Sequence, residues 1–166
     1  MNLFLMRHAE AADLGAEGST RDADRPLTEK GQRQARLMGR LLRRLDVKIE
    51  LVLTSPFVRA RETADLLLEA FGGHVPILDD ETFVPDGAED DMWTTITRTG
   101  RSHVLAMGHL PSIADLAAAL MGSRAKQPIH FHKASLAAFV TDDERRRPHA
   151  VLEWMVWPDV ARRLLR

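Results

Sequence analysis

The chain has 166 residues, and 23 lysines and arginines nearly balance 24 aspartates and glutamates, for a formal net charge of −1. This length suits one domain over residues 1–166, and the absence of cysteine excludes disulfides, thiolate metal sites and a cysteine nucleophile. A nucleic-acid-binding protein would typically show a strong basic excess. The apolar runs are too short for a signal peptide or a membrane helix, so we expect a soluble, cytoplasmic protein with no nucleic-acid or membrane partner.

Up to residue 78, apolar runs of strand length alternate with helical patterns. In chain order we expect a strand at Leu3–Met6, a polar loop over 9–27, a helix from the N-cap Thr28 to about Leu45, a strand at Leu51–Thr54, a helix from the N-cap Ser55 to about Phe71, and a strand at Val75–Leu78. Pro56 suits the first turn of the second helix, and Pro76 predicts an edge position for the third strand.

The rest of the chain continues the alternation and then changes character. We expect a loop over 79–89, a weaker helix over 88–99, a strand at His103–Met107, a helix from Pro111 to Met121, two strands at Leu136–Thr141 and Val151–Val156 around the polar turn Asp142–Pro148, and a tail helix from Pro158. Strands that alternate with helices predict an α/β fold. The expected architecture is a three-layer sandwich with a mostly parallel central sheet, a late antiparallel hairpin and helices on both faces.

Unusual polar residues follow three of the predicted strands. Arg7 and His8 end the first strand, Arg59 lies one turn into the helix after the second, and His109 lies in the turn after His103–Met107. Because sites in open α/β sheets form beyond the carboxyl ends of strands, these residues can converge. Two guanidiniums, two imidazoles and a helix N-terminus favour a dianionic tetrahedral group, most simply a phosphoryl group.

Four segments of the chain carry a resemblance to a known family: Leu5–Glu10, Arg25–Gly31, Leu53–Thr63 and Gly108–Pro111. In the same order, they resemble the motifs of the histidine phosphatase superfamily, and most of all its small bacterial branch, the SixA-type phosphohistidine phosphatases. The resemblance covers nearly the whole chain and implies a phosphoglycerate mutase-like fold and a metal-independent phosphatase without a cofactor. One departure is visible, because Ala9 stands where the family usually has glycine.

The resemblance also implies a role for each matching residue. His8 would be the nucleophile and would form a phosphohistidine intermediate. Arg7 and Arg59 would hold the phosphoryl oxygens, and His109 would donate a hydrogen bond to the same group in the transition state. Arg25 would be a further phosphate contact. A neutral imidazole is a competent nucleophile near pH 7, so the chemistry of the residues agrees with these roles.

Several other residues have a structural explanation beside a functional one. Ser55 lacks the Gly-x-Ser-x-Gly context of a nucleophile and is interpreted as a helix cap. His130 and His132 alternate as neighbours on one face of a strand would, but two ligands without a third make a weak metal site. Arg145–Arg147 is interpreted as a solvated hairpin tip, with contact to an acidic partner as the alternative.

The substrate class depends on whether the site holds a general acid. Glu81, Asp86 and Glu89 lie where such an acid would be expected, and Glu81 is the weak candidate, but no motif identifies it. An open, acid-poor site favours a phosphorylated protein substrate, such as a histidine phosphotransfer domain. The alternatives are a phosphomonoesterase acting on a small metabolite and a catalytically idle phosphate-binding module.

Overall fold

The computed structural model describes residues 1–123, 129–141 and 149–166. Within these residues the strands are β1 (Asn2–Arg7), β2 (Leu51–Thr54), β3 (Ile77–Asp79), β4 (His103–Gly108), β5 (Leu136–Val140) and β6 (Val151–Val156). They form one sheet in the order β3-β2-β4-β1-β5-β6. The first four strands pair in parallel, β1 with β4, β4 with β2 and β2 with β3. β5 is antiparallel to both β1 and β6. The predicted mostly parallel sheet with a late antiparallel pair is confirmed; residues 142–148, with Arg145–Arg147, lie outside the described part.

The helices cover both faces of this sheet. In the described part they are α1 (Glu29–Arg44), α2 (Val58–Phe71), α3 (Glu89–Arg98), α4 (Ser112–Leu120) and α5 (Pro158–Leu164), with short 3-10 turns at Ala16–Gly18, Asp22–Asp24 and Glu81–Phe83. α1, α2 and α5 pack on one face and α3 and α4 on the other. The predicted three-layer sandwich is therefore confirmed.

The apolar runs of the central strands are explained by burial on both faces. In β1, Phe4 and Met6 point into the core beneath α1 and α2, whereas Leu3 and Leu5 point into the core beneath α3 and α4. A strand with two covered faces needs apolar residues at every position. Burial of each such side chain contributes roughly 1.5–3 kcal/mol to the transfer free energy.

Two element starts differ from the prediction, each for a local reason. The Thr28 cap of α1 is confirmed, because its side chain accepts a hydrogen bond from the Gly31 amide. The Ser55 cap is wrong: the Ser55 amide still donates to the Met107 carbonyl at the end of the sheet, and α2 begins only at Val58. β3 begins after Pro76 because proline has no N–H for the ladder, and β3 lies at the sheet edge as predicted.

Among the described helices, none has both the length and the apolar character required to cross a bilayer.

Candidate active site

The site lies at the carboxyl ends of β1, β4 and β2, which are adjacent in the sheet. The His8 amide donates to the Gly108 carbonyl (3.0 Å), so His109 follows β4 directly beside His8. The two imidazole centroids are 4.9 Å apart. Arg59 reaches the same place from the first turn of α2, with its Nε 3.4 Å from His8 Nε2. The structure thus brings His8, His109 and Arg59 together, with Arg7 as the neighbour of His8 in the chain.

His8 is 4 % exposed, and its hydrogen bonds fix which ring nitrogen carries the proton. Nδ1 lies 2.7 Å from the Ala9 carbonyl, which can only accept, so Nδ1 bears the hydrogen and Nε2 keeps its lone pair. Burial, and then the positive charge of nearby Lys133, hold the pKa of His8 well below 6.5. The ring is therefore neutral at pH 7, and its Nε2 lone pair accepts a hydrogen bond from Arg59 Nε.

Alanine at position 9 is compatible with the backbone. Among the described residues, the non-glycine positions with positive φ are Asp46 and Ala134, so Ala9 does not need the freedom of glycine. The Ala9 methyl is buried, and its amide donates to Thr63 Oγ1 (3.1 Å). The Thr63 hydroxyl in turn donates to the Arg59 carbonyl (2.6 Å). Thr63 therefore connects the turn after β1 to the helix that carries Arg59.

The Arg25–Gly31 segment packs against the residues that follow His8. The Thr28 amide donates to the Glu10 carbonyl (3.0 Å), and the Leu27 amide donates to Glu62 Oε2 (2.7 Å) on α2. A Cβ on Gly31 would lie 2.0 Å from the Glu10 carbonyl oxygen, so only glycine permits this approach. The family-like segments are thus held against one another by direct hydrogen bonds.

Asp22 joins Arg59 to Arg25. Arg59 donates to the Asp22 backbone carbonyl and, through Nη2, to its carboxylate (2.8 Å). Arg25 donates to the other carboxylate oxygen (2.7 Å) and to the Ala12 carbonyl (2.6 Å). Burial raises the pKa of Asp22, but the hydrogen bonds from Arg25 and Arg59 outweigh it and the net shift is downward. Arg25 is therefore connected to the site through a carboxylate.

Unpartnered polar atoms line the centre of the site. His109 is 2 % exposed between the rings of His8 and Phe57. Within the described residues, both of its ring nitrogens and the Arg7 Nε are buried without a hydrogen-bond partner. Each such group costs about 1–3 kcal/mol unless a ligand or water satisfies it. An oxyanion would accept from the buried Arg7 N–H, and the His109 ring can supply a further N–H.

We expect acid to destabilise the fold through the buried imidazoles. Burial, and next the charge of Arg59, lower the pKa of His109 to about 3. The unfolded chain then binds more protons than the native state below pH 6.5, so stability falls as the pH falls through that range. At pH 5 the loss from one such group is about 2 kcal/mol. His109→Gln should therefore reduce the difference in urea-unfolding free energy between pH 7 and pH 5 by about that amount.

The exposed His74 provides the control for this measurement, because His74→Gln removes a histidine that is not buried. An unchanged pH dependence in His109→Gln would contradict the expectation.

Lys133 is a further cation of the site that the sequence analysis did not select. The Ala134 amide, next in the chain, donates to the His8 carbonyl (3.1 Å), and Arg7 donates to the Phe131 carbonyl (2.8 Å). Desolvation, and then the charges of Arg7 and Arg59, lower the pKa of Lys133 to about 8. The sequence alone does not show that β5 lies antiparallel beside β1. This pairing brings the residues before β5 to the end of β1.

His130 and His132 do not alternate on a strand, because they precede β5. Their rings make an edge contact with centroids 4.4 Å apart, and His132 also packs against Trp157. Over 1–123, 129–141 and 149–166, no group of three or more potential ligands could hold a metal ion. Among the described residues, His130 and His132 therefore have no third side chain with which to hold a metal ion.

Glu81 lies in a segment whose backbone passes close to His109, but Glu81 itself is exposed to solvent. The Val84 carbonyl accepts a hydrogen bond from Ser112 Oγ (3.0 Å), and a Cβ on Gly108 would lie 2.9 Å from the Phe83 carbonyl oxygen. Glu81 starts the 3-10 turn of this segment. The structure thus brings the backbone of the segment to the turn before α4 and leaves the Glu81 carboxylate exposed.

Comparisons with known proteins agree with this geometry. The model of the histidine phosphatase superfamily, branch 1, matches residues 3–84. The chain is 30% identical over 165 residues to the phosphohistidine phosphatase SixA of Escherichia coli K12, which covers 95% of this chain and 94% of that protein. The SixA homologue of Haemophilus influenzae is 30% identical over 166 residues, covering 87% of this chain and 91% of that protein.

The fold is similar to a solved structure as well. A protein histidine phosphatase SixA complexed with tungstate superposes with a TM-score of 0.83 at 28% identity, covering 96% of this chain and 99% of that one.

Proposed function

The chain belongs to the histidine phosphatase superfamily, and from that premise we propose that it hydrolyses phosphohistidine on a protein through a covalent phosphoryl group on His8. Its similarity to SixA extends over nearly the full length. The observation that carries the proposal is the neutral His8 ring, whose Nε2 lone pair faces Arg59. A histidine phosphotransfer domain is the first substrate to test.

The proposed reaction has two steps. His8 Nε2 attacks phosphorus while the P–N bond to the substrate histidine breaks and the departing imidazole leaves neutral, protonated from solvent. Water then attacks the phosphorus on His8 and releases inorganic phosphate. Arg7, Arg59 and His109 donate hydrogen bonds to the phosphoryl oxygens in both steps. Such a transfer needs positioning and charge stabilisation more than covalent help.

The buried neutral His8 also argues against a catalytically idle binding module. A module that only holds phosphate is served better by a cation than by a neutral ring, and Arg7, Arg59 and Lys133 already supply cations. An unprotonated Nε2 beside the Arg59 guanidinium suits attack on phosphorus. The geometry therefore favours turnover over simple binding.

We expect activity to survive exhaustive chelation. The guanidiniums of Arg7 and Arg59, with the ammonium of Lys133, supply the positive charge that Mg²⁺ supplies to phosphoryl transfer in kinases. Turnover of a phosphohistidine peptide should be the same before and after prolonged dialysis against EDTA. A dialysed enzyme that recovers only on addition of a divalent ion would contradict this expectation.

Glu81→Gln separates the proposed substrate class from a small-molecule phosphomonoesterase. An alkoxide leaving group needs protonation by a positioned acid, which is typically worth about 10²–10⁴-fold in rate, whereas an imidazole gains far less. The exposed Glu81 carboxylate favours a substrate whose leaving group is an imidazole, because such a leaving group needs no positioned acid. We expect Glu81→Gln to leave phosphohistidine cleavage within a few-fold of wild type, with any larger loss confined to alkyl phosphate activity.

The measurement is kcat/KM for a phosphohistidine peptide and an alkyl phosphate, in wild type, Glu81→Gln and Asp86→Asn. Asp86 is an exposed carboxylate of the same connection and serves as the matched control. A loss of phosphohistidine turnover by the full general-acid factor in Glu81→Gln alone would favour the phosphomonoesterase.

A further inference from the structure

A groove of about 660 Å³ lies beside the site, between α1, α5 and the segment before β5. Its basic lining residues come from all three elements: Lys30, Arg33, Arg36, Arg40, Lys133 and Arg162. Two carboxylates, Glu10 and Asp159, also line it. Because the whole chain has a formal net charge of −1, this cationic excess is a local property of the groove.

The groove adjoins the candidate active site through Glu10 and Lys133, which line it. Glu10 follows His8 by two residues, and Lys133 precedes Ala134, whose amide is bonded to the His8 carbonyl. Lys133 therefore belongs both to the groove and to the cations near His8. A chain segment in the groove would continue directly from a residue whose phosphoryl group is held at His8.

Four of the six basic residues of the groove pair with carboxylates in the described part of the chain: Lys30 with Glu10, Arg33 with Glu29, Arg36 with Glu69 and Arg162 with Asp159. Arg33 meets Glu29 at 3.4 Å and Lys30 meets Glu10 at 2.7 Å, and exposed pairs of this kind contribute little, so a ligand can displace them. Arg40 is exposed and makes no ion pair among the described residues. It also lines an adjoining cleft that contains Arg43 and Arg44, so the basic surface continues along α1.

We propose that this groove binds an acidic segment flanking the phosphorylated histidine of the protein substrate. The inference rests on the proposed function and adds a substrate preference to it. The cationic lining favours an anionic occupant, and the position of Glu10 and Lys133 next to His8 favours an occupant that belongs to the molecule carrying the phosphoryl group. A nucleic acid or an anionic membrane would satisfy the charge but would present no phosphohistidine to the site.

The test uses two phosphohistidine peptides that differ only in their flanks, one with glutamates and one with glutamines at the same positions. We expect wild type to prefer the glutamate peptide by about tenfold in kcat/KM at low salt, as several weak charge contacts together allow. The preference should shrink in 0.5 M NaCl because screening shortens the reach of exposed charges. In Arg33→Glu/Arg40→Glu the ratio should fall to about one or invert.

Arg98→Glu/Arg101→Glu is the matched control, since it reverses two exposed arginines that lie outside the groove. Its selectivity should equal that of wild type. The selectivity ratio is insensitive to a general loss of activity, so partial misfolding cannot imitate the expected result. Equal kcat/KM for both peptides in wild type, with turnover intact, would overturn the docking proposal and leave the proposed function standing.

Binding of the unphosphorylated glutamate peptide, followed by fluorescence anisotropy, tests the groove without turnover. Binding that Arg33→Glu/Arg40→Glu weakens would support the groove even if no phosphohistidine compound is cleaved, and the proposed function alone would then fail. No binding would overturn the docking proposal. Tighter binding of an RNA oligonucleotide or of phosphatidylserine vesicles, lost in the same variant, would also overturn it.

Discussion

Loss of turnover by on the order of 10³-fold or more is expected for His8→Ala, because the proposed nucleophile is removed and the remaining groups can only bind phosphate. Structurally, the change replaces a buried ring whose Nδ1 is bonded to the Ala9 carbonyl. The direct measurement is rapid quench with labelled substrate. In wild type it should trap an acid-labile, alkali-stable adduct on the peptide that contains His8.

His74→Ala is the control for this experiment, because His74 is an exposed histidine outside the site. Its turnover and its trapped adduct should match those of wild type. Full turnover in His8→Ala, or an adduct on a different peptide, would exclude the covalent pathway through His8.

Arg59→Ala is expected to lose about 3–5 kcal/mol of transition-state stabilisation, as when one partner of a desolvated charge pair is removed. Arg59 is 4 % exposed, and its Nε lies 3.4 Å from the His8 Nε2 that would attack phosphorus. Arg59→Lys should recover only part of the loss, because a point charge lacks the two parallel donors of a guanidinium. kcat/KM for a phosphohistidine peptide measures both effects.

Arg61→Ala provides the comparison within the same helix. Arg61 is half-buried and pairs with Asp65 and Asp79 away from His8, so its removal should change kcat/KM by less than about twofold. Tungstate affinity should fall in Arg59→Ala and persist in Arg61→Ala. If Arg59→Ala kept both its tungstate affinity and its turnover, Arg59 would not be a phosphoryl contact.

The sheet could be predicted because its central strands are covered on both faces. Leu3–Met6 and Leu51–Thr54 are continuous apolar runs, and this pattern is sufficient when α-helices pack on each side. The convergence of Arg7, His8, Arg59 and His109 followed from one rule, that parallel strands end at one edge of a sheet. The predicted helix start at Ser55 was wrong because the sequence does not show that the Ser55 amide donates a hydrogen bond to the Met107 carbonyl.

Asp22 and Lys133 could not be predicted in the same way. Asp22 lies in a polar loop without periodicity, and its place is fixed only by contacts with Arg59 and Arg25, 37 and three residues away. Lys133 reaches the site because β5 pairs with β1, which depends on the strand order. Both residues act through tertiary neighbours that no local pattern encodes.

The carboxylate of Asp22 has a consequence for the catalytic cycle proposed above. Asp22 holds Nη1 and Nη2 of the Arg59 guanidinium, so in the proposed cycle a phosphoryl group would compete with Asp22 for this side chain. After hydrolysis, Asp22 would compete in the same way with inorganic phosphate for Arg59. A site built from several cations would otherwise retain its doubly charged product, and a built-in counter-ion on a neighbouring loop favours product release.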